Sequence, residues 1–388
     1  MNTETRRHFS RIGIAYFIGA LLFAGVRTLT PLALTHLAPT LAADQTLSFL
    51  ISMLTTYIIA VPLMMLVIKR VPKEGSIQPC TMTGKQWIVT FLICYAGMYL
   101  ANIAGNIITN IVGNLKGSTV TNEIVETALA NAAWVNVLVM VLLAPVLEEL
   151  LFRKMLIDRT IKYGEGISVL ISALFFGLFH GNLNQFAYAF VIGGVFAFVY
   201  VKTGNVKYTI YMHMLVNFLG SAVSMGLLKL SGMDQLALAA TDPEKMADVS
   251  YLTDIFMSHL SGMLLLCLYA LVLIILVIVG IVLFFKNIKK IHLLTSPDSV
   301  APGARFRTYF LNGGMILFIV WWLVQIILQL LMSKICQRYI KKTMVLYKAP
   351  WSFFMSFYVS FVNLLFRSLS DLLRVFPKMQ SCLLSYHV

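Results

Sequence analysis

IFMSHLSGMLLLCLYALVLIILVIVGIVLFF, from Ile255 to Phe285, runs for 31 residues without Asp, Glu, Lys or Arg. A helix needs about 20 apolar residues to cross a bilayer, and a charge at that depth costs a few kcal/mol or more. The apolar residues are continuous and do not alternate with a period of two, so the segment is a membrane helix and not a strand of a membrane barrel. Working outward, further uncharged runs cover 12–26, 45–68, 86–115, 127–147, 166–201, 208–228 and 308–333, with a weaker one at 349–366. The run 166–201 is long enough for two helices and is divided by the turn-like Gly181-Asn182-Leu183-Asn184. The runs up to Phe285 thus supply eight helices. The predicted fold is an all-α polytopic membrane protein: an eight-helix core bundle plus one or two additional carboxyl-terminal hydrophobic helices.

Composition agrees. The 388 residues are 59% hydrophobic and only 12% charged, against about 25% charged in soluble domains, which excludes an ordinary soluble enzyme. The net charge of +14 would suggest nucleic acid in a soluble protein. In a membrane protein such an excess collects in cytoplasmic loops, and no nucleic-acid partner is required. Placing successive loops on alternate sides puts Arg6, Arg7, Arg11, Lys69, Arg70, Lys73, Lys85, Arg153, Lys154, Arg159, Lys162, Lys202, Lys207, Lys286, Lys289 and Lys290 on one face. Only Lys116, Lys229 and Lys245 fall on the other. The expectation is an integral protein of a bacterial cell membrane with a cytoplasmic amino terminus and no cleavable signal. The five cysteines, Cys80, Cys94, Cys267, Cys336 and Cys382, show no CxxC spacing, so neither a zinc knuckle nor a disulfide framework is indicated. Three regions are expected: residues 1–126 with the first three spans, a core at 127–290, and 291–388 as linker, extra span and tail.

Polar groups inside apolar runs each need a partner or a purpose. Glu148 and Glu149 end the run that begins at Thr127, and Arg153 follows. On a helix Glu149 and Arg153 are i and i+4, in the order that favours an ion pair. Glu148 is left without that mate. Its own i+3 and i+4 neighbours are Leu151 and Phe152, an apolar setting that suits a carboxyl group to general acid or base work. If the chain reverses near Gly164-Glu165-Gly166, Glu148 and His180 both lie roughly 23 to 25 Å from the turn and come level. After a second reversal near Thr203-Gly204-Asn205, His213 and Asn217 climb to a similar depth. They are i and i+4 and share one helix face. The bland reading of the pair is interfacial helix-end charge, and of a single intramembrane histidine, packing. Four such groups at matched depth outweigh both.

Glu148-Glu149-x-x-x-Arg153, Phe176-x-x-x-His180 and His213-x-x-x-Asn217 resemble, in order and approximate spacing, the three motifs of the CPBP family, which comprises intramembrane CAAX proteases, bacteriocin-processing and immunity proteins, and the Abi proteins. The resemblance covers about 127–228 and implies an eight-helix core and cleavage of a membrane-associated peptide or protein. It further implies that Glu148 and His180 activate a water, that His213 and Asn217 steady the oxyanion, and that Glu149 and Arg153 hold the helix geometry; the reading preferred here needs no cofactor. The rival reading makes Glu148, His180 and His213 a zinc site with an open fourth position; HExxH is absent, and residue types alone do not separate the two. A non-catalytic immunity or scaffold protein that binds a peptide is a further alternative. Transport is weaker, because no internal repeat is apparent. Asn102, Asn106, Asn110 and Asn114, each four apart, fit interhelical hydrogen bonding or a polar cavity wall.

Overall fold

The computed structural model describes residues 2–116, 131–239 and 242–331. The weaker run at 349–366, with Cys336 and Cys382, lies outside the described residues. Within them the ordered elements are helices, with no strand. Nine matter for the site: α1 (Asn2–Leu37), α2 (Gln45–Lys69), α3 (Gly84–Lys116), α4 (Ala133–Met155), α5 (Glu165–Phe179), α6 (Leu183–Thr203), α7 (Val206–Leu230), α8 (Leu260–Asn287) and α9 (Gly313–Leu331). Eight of these are long and apolar enough to cross a membrane; α5, with 15 residues, is the short one. At about 1.5 Å per residue α5 rises roughly 22 Å, short of a hydrocarbon core of about 30 Å. Its carboxyl-terminal end, where His180 sits, therefore stops within bilayer depth.

The expected order of helices is found, with the predicted division of the run 166–201 at Gly181 and the predicted reversal at Gly204. Gly181 and Gly204 take left-handed backbone angles, φ +66° and +63°, which glycine adopts without a Cβ clash. Each is followed by an asparagine that caps the next helix: Asn182 accepts from the backbone N–H of Gln185, and Asn205 from that of Lys207.

The helix with the strongest sequence signal is the least buried. α8 has a mean hydropathy of 3.3 over its best window, only 6% of which is buried within the protein, so its continuous apolar surface faces lipid. The interior draws buried side chains from α1 to α7 and from α9. Tyr16, Phe152, Phe175 and Phe318 are fully buried, Phe175 and Phe318 stack at 4.0 Å, and the Tyr16 hydroxyl donates to the Leu151 carbonyl at 2.6 Å. α9 belongs to this core through Met315, Phe318 and Trp322. It runs alongside α1, where Gly314 meets the Ser10 carbonyl and Gly13 meets the Gly314 backbone so closely that a Cβ on either would collide. The Gly314 N–H donates to the Ser10 hydroxyl at 3.0 Å.

The basic loops gather at one end of the bundle. Lys73 pairs with Asp158 at 3.0 Å, Lys202 pairs with Glu165 at 2.5 Å, and the Cys80 N–H donates to the Thr203 carbonyl. Two residues counted with these loops are interior. Arg153 is fully buried. Arg159, 2% exposed, donates to the carbonyls of Ile68, Val71 and Met155, satisfying acceptors that the end of α2 leaves open.

His8 is part of the same end: its Nε2 lies 2.7 Å from the Arg159 carbonyl and its Nδ1 3.4 Å from Glu74. Glu74 also accepts from the Tyr163 hydroxyl at 2.6 Å and faces Lys162 at 3.4 Å. Partial burial works to raise the Glu74 carboxyl, but the Tyr163 bond and the nearby His8 and Lys162 outweigh it and hold the group below its ordinary range. A depressed carboxylate contributes stability above its unfolded value and loses it as pH falls through the folded one. Thermal melting should therefore drop as pH falls below about 4, and Glu74→Gln should flatten that limb. An identical acid limb in the variant would show that Glu74 is not its source.

Candidate active site

The site begins with a defect in α4. Pro145 has no N–H, and the turn before it is widened: the Ala144 N–H reaches back five residues to the Val139 carbonyl. In that register the next bond would run from residue 145 to the carbonyl of Met140, and proline cannot make it. The orphaned carbonyl is taken by Asn217, whose Nδ2 donates to it at 2.7 Å. The α4 segment is widened again at Leu150–Met155, so wide turns flank the short stretch that carries Glu148 and Glu149. Such turns occur often at functional sites.

The two glutamates diverge. Glu149 is fully enclosed and its Oε2 lies 3.0 Å from Arg153 Nε, also fully enclosed. The pairing follows the i, i+4 spacing. Glu149 Oε1 additionally lies 3.0 Å from His213 Nδ1; a carboxylate only accepts, so that nitrogen carries the hydrogen. Glu148 keeps a side chain 23% exposed, and its ionisable neighbour is His213, whose Nε2 is 3.9 Å away. Of the two carboxylates, Glu148 alone keeps exposed side-chain surface.

Phe176 is the shared neighbour of the remaining groups. Its ring packs against His180 at 5.0 Å and His213 at 5.6 Å, and the Arg153 guanidinium lies 4.4 Å from its centroid. Phe196 backs both His213, at 5.5 Å, and Arg153, at 5.5 Å. These aromatic faces stand where a buried cation has few hydrogen-bond acceptors. His180 Nδ1 lies 2.8 Å from the Phe176 carbonyl. A carbonyl cannot donate, so Nδ1 bears the hydrogen, and in its neutral form the ring presents an unprotonated Nε2. Tyr188 packs 6.5 Å from His180 and accepts from Gln185 at 2.9 Å.

Glu148, Glu149, Arg153 and His213 thus meet directly, Asn217 joins α7 to α4 through Met140, and His180 enters beside Phe176. Sequence spacing did not show that Glu149 grips His213 in addition to Arg153. It also did not show the roles of Phe176, Phe196 and Met140. The available signal was Pro145 inside an apolar span, which announces an unsatisfied carbonyl four or five residues earlier. The asparagine row of α3 differs from its expected role: Asn106 donates to Asn102 within the same helix at 2.8 Å, and Asn110 and Asn114 are exposed. Among the described residues, no three of His, Cys, Asp and Glu are grouped to hold a metal ion, so Glu148, His180 and His213 do not form a ready ligand set.

Residues 130–219, which enclose all three motifs, match the family described as Rce1-like, type II CAAX prenyl endopeptidase. Over this stretch the chain is homologous to CAAX-type membrane peptidases. A putative membrane peptidase, YdiL of Bacillus subtilis (strain 168), is 27% identical over 172 residues, covering 42% of this chain. The match spans 66% of that relative, just under two thirds of its length. No solved structure matches. The homologous stretch runs from α4 through most of α7, the helices that supply the charged groups described above.

Proposed function

We propose that this chain is an intramembrane endopeptidase that hydrolyses a peptide bond of a membrane-associated peptide or protein. The observation that carries the reading is the division of labour between adjacent glutamates: Glu149 is sealed against Arg153 and His213, while Glu148 stays accessible with His213 Nε2 at 3.9 Å. Homology to CAAX-type peptidases supports it.

In this scheme Glu148 and the unprotonated Nε2 of His180 draw a proton from water as its oxygen attacks the peptide carbonyl carbon. The developing oxyanion is met by His213 Nε2, in its protonated form, and by the second amide N–H of Asn217. The proton then passes to the leaving amine as the C–N bond breaks. Glu149 fixes the His213 ring, and Arg153 neutralises Glu149 within the bilayer. The substrate is a CAAX-type or bacteriocin-related polypeptide reaching the site from the membrane. The basic end of the bundle lies in the cytoplasm, with the amino terminus, as loop charge bias requires.

Proteomic comparison of membranes carrying wild type and Glu148→Ala should reveal a peptide that accumulates uncut in the variant. Cleavage of that peptide by purified protein should survive a zinc chelator. Identical peptide pools would favour a binding protein that does not cut. Activity that requires stoichiometric zinc would replace the scheme with a zinc site on Glu148, His180 and His213.

A further inference from the structure

At the basic end of the bundle a groove of about 370 Å³ opens between the start of α5 and the connection from α8 to α9. It lies away from the peptidase groups, which are at the other end of α5. Ile167 and Leu170 form the apolar side, and Leu294, Arg305 and Phe306 form the rim. Leu170, Leu294 and Phe306 are 44%, 65% and 65% exposed, although Leu294 and Phe306 lie outside every span. From Lys286 to Arg307 the sequence carries Lys286, Lys289, Lys290, Arg305 and Arg307 against the single acid Asp298. Exposed apolar side chains among basic ones suit the boundary between headgroups and acyl chains.

The walls are fixed by hydrogen bonds. The Glu165 N–H donates to the Leu294 carbonyl at 3.1 Å, and the Leu294 N–H returns to the Glu165 carboxylate at 2.7 Å. The Ser299 hydroxyl donates to the Tyr163 carbonyl at 3.1 Å. Lys202 neutralises Glu165, so that acid does not oppose an anion in the groove. Arg305 spends Nε on the Val300 carbonyl, at 2.9 Å, which anchors the side chain and leaves its two terminal nitrogens for a phosphate. Gly166 keeps the groove open: a Cβ there would touch only Leu293, at 4.0 Å.

We propose that this groove binds an acidic phospholipid, with the headgroup phosphate on Arg305 and an acyl chain along Ile167 and Leu170. The inference does not depend on the peptidase reading. The test reconstitutes the full chain in vesicles that carry a photoactivatable acyl chain on either phosphatidylglycerol or phosphatidylcholine, and maps crosslinked peptides. Phosphatidylglycerol should label the segments around Leu170 and Leu294 about fivefold more than phosphatidylcholine, and excess inorganic phosphate should leave the labelling unchanged. Arg305→Gln should remove the headgroup preference, and Gly166→Leu, which fills the groove without altering charge, should remove the labelling itself. Equal labelling by both lipids would overturn the proposal. So would displacement by inorganic phosphate, or labelling that persists in Gly166→Leu.

Discussion

Glu148→Gln should lower cleavage by about 10² to 10⁴-fold, the contribution of a general base, and leave the bundle as stable as the wild type. Glu148 is the more accessible glutamate, and its neighbour His213 stands 3.9 Å away with Glu149 as its closer partner. Neutralising it strands no charge. Glu149→Gln should behave differently although the two residues are adjacent. Its carboxylate lies between Arg153 and His213 with no exposure of Glu149 or Arg153, and removing one partner of a buried ion pair typically costs about 3–5 kcal/mol. That variant should melt early and lose activity with the fold. Turnover of the accumulated peptide, read beside thermal melting in detergent, separates the two outcomes. His180→Ala should fall with Glu148→Gln, since its Nδ1 bond to Phe176 is a contact within one turn of chain. Wild-type turnover in Glu148→Gln would end the general-base assignment.

The contrast between the glutamates was partly visible in the sequence. A spacing of four fixes the geometry of Glu149 and Arg153 because both lie on one helix, and the same holds for His213 and Asn217. The helices themselves were legible for a similarly local reason: an uncharged run must satisfy its own backbone inside the bilayer. What failed to appear depended on register between helices. Arg153 and Arg159 look like interfacial loop cations in a count of charges, yet one is enclosed by Glu149, Phe176 and Phe196, and the other is consumed by carbonyls of three residues. The placement of α9 is a second case. Its composition marks a span, but its burial against α1 rests on the coincidence of Gly13, Ser10 and Gly314 some 300 residues apart. His8 showed no role because its partners, Glu74 and Arg159, come from two different loops.

Asn217 provides the sharpest case of a role hidden by register, and a double-mutant cycle with Pro145 should expose it. Because Pro145 supplies no N–H, Asn217→Ala leaves the Met140 carbonyl without its donor, a loss of about 1 kcal/mol for a part-buried polar group. Pro145→Ala restores an N–H at that place in the helix. In the Pro145→Ala background, Asn217→Ala should therefore cost much less stability than in the wild type, giving a coupling on the scale seen for residues in one hydrogen-bond network. Additive melting losses would show that the Met140 carbonyl does not link the two residues. Activity carries separate information. If the second amide N–H of Asn217 steadies the oxyanion, the double variant stays inactive even where its stability has recovered. If the bond to Met140 is all that Asn217 supplies, restoring the backbone donor returns activity together with stability. The widened turn before Pro145 sets the register of Glu148 and Glu149 on α4, so Pro145→Ala alone should also reduce turnover while the protein stays folded. The same missing hydrogen would then both shape the helix that carries the base and place the amide that faces the substrate.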